Sequence, residues 1–244
     1  MGCARASAIK YPLVSSNRLV TLVRLTEKCE AGTMAKAAVR KTRDAEATRQ
    51  DILAAATAEF ARKGLGGARV DEIAARAKAN KRMIYHYFGS KEKLFTTVLE
   101  EAYGHIRSAE LKLPLADLPP EEALEKLLRF TWDYYLAHPE FLSLVNSANL
   151  HKARHVKNSA RFKTSGPPFV GLVKSILDRG AALGVFRGGI DPVQLNITIA
   201  AVGYYYLTNR FTGEILFERD FMTPPRLAER FAFNLDTILR LVRK

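Results

Sequence analysis

The stretch VDEIAARAKANKRMIYHYFGSKEKLF, residues Val70 to Phe95, decides the fold. Its first part repeats small and apolar residues at the spacing of one helix face: Val70, Ile73, Ala74 and Ala77. After a turn at residues 78–79, Asn80 can cap a second short helix over residues 81–87. Gly89 ends that helix, and Ser90 can cap the next one. The pattern predicts two short helices joined by a tight turn.

An amphipathic helix is predicted to precede this pair, from Asp44 onward. Its inward face is marked by Ile52, Leu53, Ala56 and Phe60. The glycines at 64, 66 and 67 have neither a preceding strand nor the spacing of a phosphate-binding loop, so we interpret them as a helix end and a turn. Three helices of this kind form a helix-turn-helix unit, a fold that places its last helix in the major groove of DNA.

The second helix of the pair carries two kinds of residue. Ile84 and Phe88, four residues apart, are predicted to face the core. The outer face then holds cations and rings: Lys81, Arg82, Met83, Tyr85, His86 and Tyr87. Cations neutralise phosphates, hydroxyls bond to phosphate oxygens, and rings and methionine contact thymine methyl groups. This face is a candidate DNA interface, with packing against neighbouring helices as the alternative for one of the two tyrosines.

The whole chain is basic, with a net charge of +13 over 244 residues. The excess is densest in residues 34–95, which hold 14 Lys and Arg against 7 Asp and Glu. Such a charge favours nucleic acid or an anionic membrane as a partner. No apolar run approaches the roughly 20 residues that span a bilayer, so we expect no membrane partner. Cys3 and Cys29 alone form no disulfide framework or metal motif, which fits a cytoplasmic protein.

The remaining chain is predicted to be helical near residues 91–112, 120–137, 139–150, 167–182, 191–209 and 224–243. No strand-like alternation competes with these patterns. We therefore predict an all-α protein with three parts. They are a disordered or non-native N-terminal extension at residues 1–43, a helix-turn-helix DNA-binding domain at 44–95 and a helical bundle for effector binding and dimerisation at 96–244.

Over residues 48–95 the chain resembles the TetR family of bacterial transcriptional regulators. The residues that carry the resemblance are Val70, Ile73, Ala74, Ala77, Ile84, Tyr85, Tyr87, Phe88, Ser90, Lys91, Leu94 and Phe95. The stretch GVFRGGIDPVQL at 184–195 and the last helix resemble the ligand-binding and dimerisation half of the family. The resemblance implies a homodimer that binds a near-palindromic DNA operator and is released by a small-molecule effector. It implies no catalytic residue, metal or cofactor.

By resemblance, DNA contacts are expected at Arg69, Val70, Lys81, Arg82, Met83, Tyr85, His86, Tyr87 and Lys91. Two residues depart from the family pattern. Arg69 replaces the usual hydroxyl residue, so we expect the helix cap to come from elsewhere. Lys78 replaces the usual glycine, and because a positive φ is costly without glycine, we expect a slightly different turn.

One apolar face of helix 120–137 is a candidate ligand site, with bundle core as the plainer interpretation. Trp132, the only tryptophan, shares that face with Leu128 and Tyr135. Helix 139–150, the residues just beyond it and one of the tyrosines at 204–206 could add polar groups to the wall of a ligand cavity. The candidate ligand residues are Trp132, Tyr135, Asn146, Asn149, His151, His155 and Tyr205. The nearby basic residues Lys152, Arg154 and Lys157 favour a carboxylated aromatic or acyl effector.

His151 and His155, at i and i+4, could instead share a metal on one helix face. No third ligand lies nearby in sequence, so we interpret them as a polar pocket wall or a surface pair and assign no metal site.

Helices 191–209 and 224–243 are expected to form a four-helix interface with a second copy of the chain. Small residues of the first helix, Ala200, Ala201 and Gly203, fit such an interface, and the alternative is that both helices are only core. The leading hypothesis is a ligand-responsive transcriptional repressor. The alternatives are an activator of the same fold, an enzyme, or an architectural nucleic-acid-binding protein.

Overall fold

The computed structural model describes residues 45–244, and the predicted extension at 1–43 lies outside them. The helices are α1 (45–67), α2 (Val70–Arg76), α3 (Lys81–Phe88), α4 (Lys91–Glu110), α5 (Pro120–Ala137), α6 (Pro139–Leu150), α7 (Ala160–Thr164), α8 (Pro167–Ala182), α9 (Pro192–Thr208), α10 (Arg210–Phe217) and α11 (Pro224–Val242). The described chain holds no β-structure beyond one bridge, between Phe186 and Arg243. The predicted all-α class is confirmed.

Residues 50–244 form one compact unit. No helix in the described part of the chain is long and apolar enough to cross a membrane.

The six helices predicted beyond residue 90 are α4, α5, α6, α8, α9 and α11, each within two residues of the predicted bounds. Proline in the first turn begins five of them, because its ring fixes a helical φ where no N–H is needed. Two short helices were not predicted. α7 follows Ser159, whose Oγ accepts the Phe162 N–H at 2.9 Å, and α10 is separated from α9 by Asn209 alone.

The glycine turn after α1 differs slightly from the prediction. Gly64 has a φ of +65°, a conformation that side chains other than glycine rarely adopt. One more helical turn follows it, closed by the Ala68 N–H on the Gly64 carbonyl at 3.1 Å. The glycine therefore interrupts the helix where predicted, but α1 continues through residue 67.

The turn between α2 and α3 keeps the left-handed geometry that glycine usually supplies. Lys78 has a φ of +51°, at a cost of about 1–2 kcal/mol for a residue with a Cβ. Arg69 occupies the N-cap position of α2 and makes no side-chain cap hydrogen bond there. The prediction of a different turn geometry is therefore wrong, and the prediction that α2 lacks a hydroxyl cap is confirmed.

Two hydrophobic cores fill the compact unit. The first joins α1, α2, α3 and the start of α4, where Phe60 and Phe95 pack edge to face at 5.0 Å. Leu144 of α6 and Val156 belong to the same core. The second core lies among α5, α8, α9 and α11, and Ile106 at the far end of α4 belongs to it. α4 and α6 therefore connect the helix-turn-helix unit to the bundle.

Candidate nucleic-acid interface and ligand cavity

The residues at both ends of α3 and its two buried side chains determine where the helix begins and ends and which of its faces is exposed. The Asn80 side chain accepts the Met83 N–H at 3.0 Å and starts the helix, and Gly89, with a φ of +77°, ends it. Ile84 and Phe88 are buried in the first core, as predicted. These two anchors fix which face of α3 points away from the protein.

The outward face of α3 is basic and partly aromatic. Arg82 and His86 are exposed, and the Tyr85 side chain is 43% exposed. Met83 and Tyr87 are half-buried, and the Tyr87 ring lies edge-on against His86 at 5.4 Å. No acidic residue lies in α3 itself. The face can present guanidinium, imidazole and phenol groups to an anionic surface.

Lys81 is held by a neighbouring helix. Its Nζ lies 2.9 Å from the Asp71 carboxylate, and both side chains are about half exposed. The hydrogen bond to Asp71 raises the pKa of Lys81. Lys81 must exchange this partner before it can bind a phosphate.

The contacts expected outside α3 fall into different environments. Arg69 is exposed at the start of α2. Val70 is only 8% exposed and packs in the first core, so its side chain is not available to DNA and only its backbone could make a contact. Lys91 points its Nζ at the Gly66 carbonyl, 3.4 Å away, beside the turn that ends α1. The DNA contacts remain predictions, and the structure favours Arg69, Arg82, Tyr85 and His86 among them.

A cavity of about 230 Å³ lies where α5, α6, α9 and α10 meet. It brings together two of the predicted ligand residues, Tyr135 and Asn146. Its wall consists of Tyr135, Leu136, Pro139, Leu142, Ser143, Asn146, Leu207, Thr208, Arg210, Phe211 and Met222. The wall combines apolar side chains with hydroxyl, amide and guanidinium groups, and convergent polar groups of this kind can orient a small molecule.

The polar groups of this cavity are held in place by neighbours. The Tyr204 hydroxyl donates a hydrogen bond to the Asn146 side-chain oxygen. Burial raises the pKa of Tyr204 to about 12 and also raises the pKa of Tyr135. Both phenols therefore stay protonated at neutral pH and can donate hydrogen bonds.

Trp132 lies behind Tyr135 rather than in the cavity itself. It is 5% exposed and lines a narrow space with Asn234 that has no room for a water molecule. Gly203, which was predicted at a dimer contact, faces inward here, because a Cβ on it would lie 3.4 Å from the Trp132 ring. Trp132 therefore does not line the cavity itself, but it shares a narrow space with Tyr135, which does.

The other predicted ligand residues do not reach the cavity. Asn149 is exposed and bonds the Val145 carbonyl of its own helix at 3.0 Å, while Tyr205 is 66% exposed on the outside of α9. His151 and His155 are not on a helix, contrary to the i, i+4 interpretation. Residues 152 and 153 have φ of +57° and +50°, which stops α6 at Leu150.

His155 contacts the helix-turn-helix core instead of the cavity. Its ring packs edge-on against Phe95 at 5.8 Å, and its carbonyl accepts the Thr96 hydroxyl at 3.1 Å. Burial, followed by the nearby Arg154 charge, lowers the pKa of His155. Sequence reasoning missed Arg210 in the cavity wall because α10 was not predicted, and it missed Thr208 although the helix that carries it was predicted.

α6 takes part in both regions. Leu142 and Asn146 line the cavity, and Leu144 packs in the first core. Ser147, on the same helix, accepts the Leu65 N–H with its Oγ at 3.0 Å, and both residues are buried. One short helix therefore contacts the cavity and the end of α1.

Comparison with known proteins gives a consistent result. Residues 52–98 match the family model of bacterial regulatory proteins, tetR family, and residues 120–238 match the Tetracyclin repressor-like C-terminal domain. The chain is 39% identical over 204 residues to the HTH-type transcriptional repressor NicS of Pseudomonas putida, which covers 84% of this chain and 96% of NicS. A shorter stretch of 103 residues is 46% identical to the HTH-type transcriptional repressor SCO4008 of Streptomyces coelicolor, covering 42% and 50% of the two chains. Among solved structures, SCO4942 of Streptomyces coelicolor, described as a transcriptional regulator, gives a TM-score of 0.60 at 26% identity over 80% of this chain and 98% of that one.

The fold and the exposed basic helix define a DNA-binding regulator of the helix-turn-helix class. The chain belongs to the TetR family of bacterial transcriptional regulators. It is a DNA-binding transcriptional regulator.

Proposed function

We propose that the protein is a repressor that binds a near-palindromic operator as a homodimer and leaves it when a small molecule fills the α5–α6–α9–α10 cavity. The observation that carries the DNA part is the outward face of α3, where Arg82, Tyr85 and His86 are exposed together. The relatives NicS and SCO4008 are named as transcriptional repressors, which supports repression rather than activation.

In this proposal α3 enters the major groove. Arg82, Tyr85 and His86 face the bases or the adjacent phosphates, and Arg69 at the start of α2 binds a phosphate. Two copies related by a twofold axis place two α3 helices in successive major grooves, roughly 34–36 Å apart.

An exposed apolar stripe on α9 supports the proposal that two copies of the chain form a dimer. Val193, Ile197 and Tyr205 are 44%, 55% and 66% exposed, and Ala201 is exposed between them. The four residues recur every fourth position, so they lie on one side of the helix. A second copy of the stripe across a twofold axis would remove this apolar surface from water.

The effector is proposed to act through α6. A molecule in the cavity contacts Leu142 and Asn146, and any displacement of α6 also moves Leu144 and Ser147 against the helix-turn-helix core. Repression is relieved only if the effector binds the DNA-incompetent arrangement more tightly than the DNA-bound one.

To test the proposed DNA binding, the DNA that flanks the gene is first searched for an inverted repeat. That DNA is then titrated with the protein in a gel-shift assay. Arg82→Ala should weaken operator binding about tenfold, and loss of a phosphate contact would lower the salt slope by about one. Lys174→Ala, an exposed cation on α8 paired with Asp178, is the matched control and should bind like the wild type. Equal affinity of Arg82→Ala and the control, with unchanged circular dichroism, would remove α3 as the DNA interface.

The effector part is tested with a compound that releases the operator in a metabolite screen. Its binding should change the emission of Trp132, the only tryptophan, over the concentrations that release DNA. Asn146→Ala should raise the concentration needed about tenfold, because a positioned polar group is lost from the cavity wall. The exposed neighbour substitution Asn149→Ala should leave that concentration unchanged. The opposite ranking of these two variants would place the effector elsewhere.

A further inference from the structure

A second cleft, of about 190 Å³, opens where the end of α9 meets the start of α11 and the connection from α10. It is separate from the cavity of the proposed function and shares none of its lining residues. Three aromatic rings form its walls: Tyr206, Phe221 and Phe233. Tyr206 and Phe221 stack with their ring centres 4.6 Å apart and 11° between planes.

Phe221 is fixed in this wall by several independent contacts. Its carbonyl accepts the Tyr206 hydroxyl at 3.0 Å, and its N–H donates to the Glu214 carboxylate at 3.2 Å. Its ring fills the space beside Gly213, where a Cβ would approach the ring to 2.7 Å. These contacts hold the Phe221 ring in a defined position in the wall of the cleft.

The charges of the cleft do not balance. Arg219, Arg226 and Arg230 line it against one acid, Glu229. Glu229 is already bound to Arg226 at 2.6 Å. The lining carries three positive charges and one negative charge, which leaves a net charge of +2 beside an apolar wall.

Arg230 is the residue that most needs a partner. One of its terminal nitrogens donates a long hydrogen bond of 3.3 Å to the Val202 carbonyl. Its Nε is buried, and within residues 45–244 it has no hydrogen-bond partner. Burial lowers the pKa of Arg230, because a partly desolvated cation without a counter-charge is disfavoured. The guanidinium lies 5.3 Å from the Tyr206 ring centre and 5.4 Å from that of Phe233, so its charge is next to two aromatic rings.

We propose that this arginine cleft is a second small-molecule site and that it binds a carboxylate attached to a flat, aromatic-sized body. The carboxylate would accept from the guanidinium groups of Arg230 and Arg219, since guanidinium groups match carboxylates in geometry and charge. The flat body would lie along the Tyr206 and Phe221 rings. Neutral molecules of the same shape lack the charge, and small anions such as acetate lack the ring contact.

The test uses the full chain and benzoate as the probe, with binding measured by isothermal titration calorimetry. Benzoate should bind once per chain, and benzamide and acetate at least tenfold more weakly. Arg230→Gln and Arg219→Gln should each weaken benzoate binding at least tenfold. The matched control is Arg240→Gln, which removes an exposed guanidinium from the same helix and should change nothing.

Arg219 is exposed on a connection, so Arg219→Gln keeps the proposal testable even if Arg230→Gln does not fold. Asn146→Ala should leave benzoate affinity unchanged, which separates the arginine cleft from the α5–α6–α9–α10 cavity. The proposal is overturned if benzoate does not saturate a site, if benzamide binds equally well, or if Arg219→Gln binds benzoate like Arg240→Gln.

Discussion

Ser147→Ala tests the contact between α6 and the end of α1. In the structure the Ser147 hydroxyl oxygen accepts the Leu65 N–H at 3.0 Å, and the two residues are 8% and 4% exposed. Alanine removes the acceptor and leaves a buried backbone donor without a partner. Such a loss costs about 1–3 kcal/mol, more than the net value of an average hydrogen bond.

The magnitude should be visible in thermal unfolding. For a domain of this size, each kcal/mol shifts Tm by about 2–4 °C, so a decrease of about 2–12 °C is expected. Ser175→Ala is the matched control, because Ser175 is exposed on α8, and its effect should stay within about 0.5 kcal/mol. Equal Tm values for the two variants would mean that the Leu65 N–H finds another partner and that this contact does not hold α6 to α1.

The same variant should change regulation. If α6 carries the effect of the cavity to the helix-turn-helix unit, Ser147→Ala should alter the ratio of operator affinities with and without effector by about 0.5–2 kcal/mol, or roughly 2- to 30-fold. Operator titrations with and without the effector measure that ratio. A lower Tm with an unaltered ratio would leave the hydrogen bond a purely structural role.

Two further predictions follow from the buried acid of α4 and the stripe on α9. Burial raises the pKa of Glu110 to about 7, with Arg107 opposing the shift, so the carboxyl group favours folding when protonated. Its contribution to the free energy of unfolding is full below pH 4.5 and is lost as pH rises to about 7. The wild type should therefore lose up to about 3 kcal/mol of stability between pH 5 and 7.5 in urea unfolding, and Glu110→Gln should not. An equal loss of stability in the variant and the wild type would contradict this. Ile197→Asp should convert the proposed dimer to monomer in sedimentation velocity at micromolar concentration, because it places a charge in the α9 stripe. Leu150→Asp, at an 82% exposed apolar residue outside the stripe, should not. A dimer in both variants would exclude the α9 stripe as the interface.

The helix-turn-helix unit could be predicted from the sequence because its determinants are local. Asn80 and Ser90 each accept a backbone N–H three residues later, as their positions before α3 and α4 predict. Ile84 and Phe88 are buried as their spacing requires. Capping and periodicity act over a few residues, so a single sequence is sufficient to recognise them.

The ligand cavity could be predicted only in part, because its wall is assembled from distant segments. Tyr135 and Asn146 were identified from the neighbouring helices α5 and α6. Arg210 was missed because α10 was not predicted. α10 has only eight residues, and its apolar residues Phe211 and Ile215 are 67% and 79% exposed. The hydrogen bond between Ser147 and Leu65 joins residues 82 positions apart, and no local pattern predicts it.

α6 is suited to couple effector and operator because its two contact surfaces cannot move independently. Asn146 of the cavity and Ser147 beside α1 are consecutive on a rigid helix, so a displacement of one moves the other. Leu144 is 1% exposed in a close-packed core, which does not absorb such a movement by compressing but must repack. The size of the response is limited by the effector's preference between the two arrangements, and a change from 1:99 to 99:1 needs about 5.5 kcal/mol. By linkage, operator DNA must then weaken effector binding by the same factor that the effector weakens operator binding.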